Sequence, residues 1–282
     1  MKPEICVLGS VNLDLVIKTK TLPRAGETVG GGSYTALPGG KGANLALAAR
    51  RLGANVELRA CIGQDSYAQI ALENLKAEKV ELSQLIEKAE THTGLAFINV
   101  SNDGENQIAV ASGANGIFLP RDLKSIKADA LIAQFEIPLD TVLEAFKNFK
   151  GFKALKPSPI ASDITPFLPL ADLLIVNEIE YQAYEEQLKG YEGIIVKTMG
   201  EHGAVMMRDG SELTRSNPPT VKIVDTTGAG DCFAAAIVVA LCENQSHQKA
   251  LEFACIAAAL SATNLGAQSA SPMRPDVEKL LN

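Results

Sequence analysis

The stretch "DTTGAGD", Asp225 to Asp231, sets a carboxylate at each end of a turn built from small residues. It runs directly into "CFAAAIVVALC", an apolar, alanine-rich segment that reads as a buried helix. Glycines let backbone N–H groups approach an anion closely, and a helix N-terminus adds partial positive charge. The turn of Gly228, Ala229 and Gly230 therefore suits a phosphate or a developing oxyanion. An acid at the same point opposes phosphate binding, but it can take the proton of a hydroxyl that attacks a phosphoryl group. On these residues alone, Asp231 reads equally well as a helix cap.

Other chemistries find less support. "GGKGAN" lacks the spacing and the hydroxyl of a Gly-x-x-x-x-Gly-Lys-Ser/Thr loop, and no complete Gly-x-Gly-x-x-Gly follows a strand, which argues against a dehydrogenase. His92, His202 and His247 are scattered, so a histidine-rich zinc site is not expected. The five cysteines, Cys6, Cys61, Cys232, Cys242 and Cys255, form no Cys-x-x-Cys pair; they read as buried free thiols in a reducing cytoplasm. Net charge is -7 with no Lys/Arg block, so no nucleic-acid partner is suggested. No signal peptide and no membrane-spanning run are recognised, and a cytoplasmic enzyme is expected.

The elements that must position these residues alternate between short apolar runs and longer helical patterns, which predicts a mostly parallel sheet flanked by helices. "EICVLG", "NVELRACIG", "ALIAQFE", "FKALKP", "LLIVNE", "IIVKT" and "AVMMR" read as strands, most of them closing on a polar residue. "KGANLALAARRLG", "SYAQIALENLKAEKV" and "ALEFACIAAALSATN" read as helices, the second with Ile70, Leu72 and Leu75 on its apolar face. Two stretches depart from this pattern: residues 11–37 and residues 91–112, the latter a hairpin around Asp103-Gly104. Together they predict a small β-sheet lying over a single domain of 282 residues as a lid, with an exposed edge that favours a homodimer.

"DTTGAGD" before an Ala-rich helix resembles the C-terminal signature of the ribokinase-like (PfkB) carbohydrate kinases, and "PGGKGANLALAARRLG" resembles their N-terminal one. "GSVNLDLVI", "VNEIEYQ", "KTMGEHGA" and "GAQSASP" are similar to further family segments, from about Ile5 to the final helix. The resemblance implies that Asp231 is the catalytic base and that Gly228, Ala229 and Gly230 are the anion hole for the γ-phosphoryl group. It implies a monovalent-cation site, K⁺ by family, from Asp225, Thr227 and the carbonyls between Gly266 and Ser271, although a serine of the pattern falls at Ala270. Asn177 and Glu180 match an Asn-x-x-Glu that positions Mg²⁺ and phosphate. Thr198, Gly200 and Gly203 resemble the loop under the nucleotide, with Asn264 near the adenine edge. Asn12, Asp14, Gly40, Lys41, Asn44 and Glu136 match the sugar site, a mixed set of donors and acceptors such as a polyol requires. The Asn177–Thr198 segment is shorter than the pattern by roughly one helix.

The resemblance thus implies an ATP-dependent kinase acting on a primary hydroxyl of a pentose, ribose before other furanoses. A nucleoside or pseudouridine kinase of the same family is the nearest alternative. A non-catalytic sugar- or nucleotide-binding regulator is the alternative of another class; the intact Asp231 and glycine turn speak against it.

Overall fold

The computed structural model describes residues 2–281. Along the chain, β1 (Glu4–Leu8), β2 (Asn12–Thr19) and β3 (Ser33–Gly39) precede α1 (Lys41–Arg51). Next come β4 (Asn55–Arg59), β5 (Cys61–Gly63), α2 (Ser66–Ala71), α3 (Glu73–Ala77) and β6 (Ile86–Lys88). After them lie β7 (Gly94–Ser101), β8 (Asn106–Ala111), β9 (Ala130–Gln134), α4 (Leu139–Asn148), β10 (Phe152–Lys156), β11 (Leu173–Asn177) and α5 (Glu178–Tyr184). β12 (Ile194–Thr198), β13 (Ala204–Arg208), β14 (Ser211–Ser216), α6 (Ala229–Cys242), α7 (His247–Ser261) and α8 (Arg274–Glu278) complete it.

Eight strands form the main sheet in the order β14-β13-β12-β11-β10-β9-β1-β4. From β4 to β12 every pairing is parallel; β13 and β14 add an antiparallel edge. Both faces are covered, which is why the central strands read as unbroken apolar runs. In β1, Ile5 and Val7 pack toward the helices α1, α6 and α7, while Cys6 and Leu8 pack toward α4 and a cluster of Phe135, Phe146 and Phe167. The five cysteines are free thiols, four of them buried. Among the described residues no helix is long and apolar enough to cross a membrane.

A separate four-stranded sheet has the order β3-β2-β7-β8. Its strands come from the two stretches that break the α/β pattern, with β2 pairing antiparallel to β3 and parallel to β7. The β7–β8 hairpin turns near Gly104, at φ 92°.

Two expectations are corrected by the packing, and the direction of one edge strand is set by it. "NVELRACIG" is two strands, because the chain leaves the main sheet at Ala60 and β5 pairs with β6 instead. "SYAQIALENLKAEKV" is broken at Leu72 into α2 and α3, and Ile70 is 39% exposed rather than part of the core. The strand "AVMMR" runs antiparallel, since it is joined to β12 by a short turn that leaves no room for a crossover.

Candidate active site

The site lies beyond the carboxyl ends of the central parallel strands, where open α/β sheets bind ligands. Strand termini deliver its polar groups: Asn12 opens β2, Glu136 follows β9, Lys156 ends β10, Asn177 ends β11 and Thr198 ends β12. Two helix N-termini, those of α1 and α6, point into the same space from the side.

Asp231 is 5% exposed and occupies the first turn of α6. The N-cap position is Gly228, with φ 77°, and no side chain caps the helix. The carboxylate turns inward instead: Asn44 Nδ2 donates to Oδ2 at 3.0 Å, and Lys156 Nζ stands 3.2 Å from Oδ1. Asp231 is therefore not a cap. At Gly228 only glycine serves, because the left-handed backbone disfavours a side chain and a Cβ would lie 2.8 Å from the Ala267 Cα. The resulting turn leaves the N–H groups of Gly228 and Gly230 without acceptors among the described residues, while that of Ala229 donates to the Thr226 carbonyl at 3.1 Å. Unpaired amides at a helix start are what an anion needs.

The expected sugar residues converge on Asp231. Asn44 and Lys41 lie in the first turn of α1, which Gly40 enters at φ 90° close to the Asn12 amide. Glu136 Oε2 accepts from the Lys41 amide at 3.0 Å and from Ser10 Oγ at 2.5 Å. Asp14 projects from β2 toward Glu136, Lys41 and Asp231; burial first, then repulsion from Glu136, raises its pKa to about 7 against the attraction of Lys41. Lys41 is pushed up, chiefly by Asp231, so it stays an ammonium. The Asn44 Oδ1 atom is buried with no partner, an acceptor aimed at nothing in the protein itself.

A cavity of about 480 Å³ opens on the other side of the α6 turn, lined by Ala229 and Gly230 at one end. Thr198, Gly200 and Gly203 line it, and so do Pro218, Pro219 and Val221 from the segment after β14. Asn177 and Glu180 do not line it. They form a reciprocal capping box at the start of α5, Glu180 Oε2 accepting from the Asn177 amide at 2.9 Å and Asn177 Oδ1 from the Glu180 amide at 2.8 Å. Glu180 is buried, its second oxygen has no partner among the described residues, and its charge reaches Lys41. Asn264 is not brought to the cavity: α7 ends at Ser261, and Asn264 lies in the exposed turn beyond, donating to Thr263 Oγ1.

Asp225 links the glycine turn to the loop at 266–271. Its Oδ1 accepts from the Thr227 amide and hydroxyl at 2.9 and 2.6 Å, and its Oδ2 from the Gly266 amide at 2.9 Å. Burial raises its pKa, but those hydrogen bonds outweigh burial and hold it below the usual carboxylate range. The Gln268 and Ser271 carbonyls accept from Arg51 at 2.9 and 2.8 Å, so Gly266 is the residue of this loop that meets Asp225.

Sequence reading missed three contributors. Asn115 is 1% exposed and holds Asn12 in place, its Nδ2 donating to Asn12 Oδ1 at 2.8 Å and to the Val11 carbonyl at 3.1 Å. Lys156 closes "FKALK" as Glu136 follows "ALIAQ"; a polar residue at the carboxyl end of a central strand was the available signal. The Pro218-Pro219 wall carries no periodic pattern, only a pair of residues unfit for a sheet interior.

A base, an amide-lined turn and a polar pocket on one side, with a largely apolar cavity on the other, form a phosphoryl-transfer layout. The family model described as pfkB family carbohydrate kinase matches residues 2–274. The ribokinase of Bacillus subtilis (strain 168) is 39% identical, with 99% of each chain covered. The solved ribokinase of Thermotoga maritima superposes with a TM-score of 0.89 at 32% identity, covering 99% of each chain. That of Arabidopsis thaliana, complexed with ribose and ATP, gives 0.89 at 28% identity over 100% of this chain and 99% of that one. Matched by the family model over residues 2–274 and 39% identical to a ribokinase along its length, the chain belongs to the pfkB family of carbohydrate kinases.

Proposed function

We propose that this enzyme transfers the γ-phosphoryl group of ATP to a primary hydroxyl of a pentose, ribose before other sugars. The observation that carries the reading is that a single helical turn borders two compartments. Ala229 and Gly230 line the cavity, and Asp231 beside them bonds Asn44, within the electrostatic reach of Lys41 and Asp14. A hydroxyl held among those polar groups would meet the γ-phosphoryl group at the turn, in line and with Asp231 to accept its proton. A primary alcohol suits this because it is unhindered. The buried, unpartnered Asn44 Oδ1 would accept a bond from a sugar hydroxyl. That the similar proteins are ribokinases, one solved with ribose and ATP, supports ribose as acceptor and ATP as donor.

In this reading Gly228 and Gly230 donate to the phosphoryl oxygens, and Thr198, Gly200 and Gly203 underlie the nucleotide. Glu180 and Asn177 would hold Mg²⁺, whose charge offsets that of the phosphates. Asp225, ionised and tied to Thr227 and Gly266, would face K⁺ beside the turn. The small sheet acts as a lid: Asp14, Leu37, Ala96 and Val110 share one face by register. Val110 and Ile108 are 56% and 58% exposed on the edge strand β8, an apolar strip suited to a second copy of this chain. The five free thiols fit work in the reducing cytoplasm.

The test is ATP consumption with a panel of sugars and nucleosides, reading kcat/KM. Ribose should rank first. A higher value for adenosine or pseudouridine would overturn the pentose assignment and leave the kinase, and no consumption with any acceptor would leave a binding protein.

A further inference from the structure

Lys156 ends β10 with its side chain 10% exposed and its Nζ 3.2 Å from Asp231 Oδ1. Among the described residues this ammonium has no other ion-pair or hydrogen-bond partner, so at least two of its three N–H groups are unused. Its stem runs beside the glycine turn: a Cβ built on Gly230 would lie 3.8 Å from Lys156 Cε. The free amides of Gly228 and Gly230 and the end of the cavity belong to the same turn. A buried ammonium with one partner is unfavourable until its remaining donors are satisfied, and an incoming anion would satisfy them.

We propose that Lys156 is a catalytic residue whose charge passes from Asp231 to the transferring phosphoryl group. In the resting site the two side chains form a neutral pair. During transfer the acceptor hydroxyl gives its proton to Asp231 and its oxygen bonds to the γ-phosphorus. The bond from the γ-phosphorus to the bridging oxygen breaks, and its electron pair leaves with ADP. Lys156 keeps its proton throughout. Once Asp231 is neutral, the phosphoryl oxygens become the stronger acceptors for the ammonium.

Lys41, from the start of α1, and Asp14, from β2, also face Asp231. Lys41 is shared with Glu136, Glu180 and Asp14, whereas among the described residues Lys156 makes an ion pair with Asp231 alone. This is why the coupling to proton transfer falls to Lys156.

The inference rests on the sugar-kinase reading, and the experiment separates the two. Wild type, Lys156→Met, Lys156→Arg, Asp231→Asn and the double variant Lys156→Met/Asp231→Asn are compared on the best sugar of the panel, with ADP titration and a thermal melt. Lys156→Met should lower kcat by about 10²–10³, with sugar KM and ADP affinity changed by no more than about threefold. Lys156→Arg, which keeps the charge, should retain more of kcat. The double variant removes both halves of the ion pair, so it folds without an uncompensated buried charge. It should fall below Asp231→Asn in kcat by roughly tenfold or more, because the lysine also acts on the phosphoryl group. Equal rates for the double variant and Asp231→Asn would overturn the inference, as would a Lys156→Met defect confined to sugar KM or a kcat near wild type. A wild type that turns over no sugar would overturn the kinase reading and the inference together.

Discussion

Asp14→Asn should stabilise the ligand-free protein at alkaline pH while weakening its hold on sugar. Burial, then repulsion from Glu136, lifts the Asp14 pKa from 3.8 to about 7, against the attraction of Lys41. Between those values the folded protein keeps a proton that the unfolded chain has released, so stability falls as pH rises. The favourable contribution is complete below 3.8 and is lost as pH rises through about 7. A tenfold change in proton affinity corresponds to ~1.4 kcal/mol, which gives an upper bound of about 4 kcal/mol. Residual contact of the side chain with water lowers the expectation to about 1–3 kcal/mol. Asparagine keeps the shape and carries no charge to desolvate. The stability advantage of Asp14→Asn should therefore grow from about pH 4 to about pH 7 and level off by about pH 8. Urea unfolding of both proteins without ligand, at several pH values and with matching m-values, measures this. Loss of a charged hydrogen-bond partner should also raise the sugar KM by roughly 10- to 100-fold. A stability difference independent of pH, or a destabilised variant at pH 8, would refute the burial argument, and an unchanged KM would remove Asp14 from the sugar site.

Gly228→Ala meets both a left-handed backbone and the Ala267 Cα, so it should cost about 1–3 kcal/mol of stability and at least tenfold in kcat, read by a melt and steady-state kinetics. A folded variant with normal turnover would mean that the turn does not shape the anion site. K⁺ should raise activity over an equal concentration of a bulky organic cation, and Asp225→Ala should abolish the response; a flat response in wild type would leave Asp225 as the tie between Thr227 and Gly266 alone. Shortening the hairpin within residues 91–112 should increase ATP hydrolysis per sugar phosphorylated, because a lid excludes water from the transfer. Unchanged coupling in a folded variant would count against the lid.

The parts of the site that were legible in the sequence are those written in one continuous stretch. The glycine turn before α6 and the Gly40–Asn44 entry to α1 combine a special backbone, a helix start and a polar side chain within a few residues. Lys156 and Asn115 are different. Each is a single polar residue whose partner, Asp231 or Asn12, is remote in sequence, and only the sheet order brings them together. Lys156, like Glu136, is a polar group at the carboxyl end of a central strand, a signal the two residues share. Asn264 shows the converse: the family resemblance put it near the adenine edge, but α7 ends three residues earlier and Asn264 lies in the exposed turn beyond. In the fold, apolar periodicity located the strands but not their direction, so the antiparallel β13 needed the turn geometry. The break at Leu72 follows from packing of α2 and α3 on different neighbours, which local pattern does not encode.

Asp231 is the base in the proposed reaction, and Asp231→Asn removes that function with the least change of shape. Asparagine can still accept from Lys156, and Asn44 can rotate its amide to present Oδ1 to the new Nδ2, so the shape is kept while the buried Lys156 ammonium loses its counter-charge. What disappears is the basic oxygen, and general-base catalysis is typically worth on the order of 10² to 10⁴ in rate. Steady-state kinetics with ribose, nucleotide titration and a thermal melt on the variant should show kcat reduced by at least about 10², a lowered but still cooperative melt from the unpaired Lys156, and nucleotide affinity held or slightly raised. A well-folded Asp231→Asn protein retaining more than about a tenth of wild-type kcat would contradict the account.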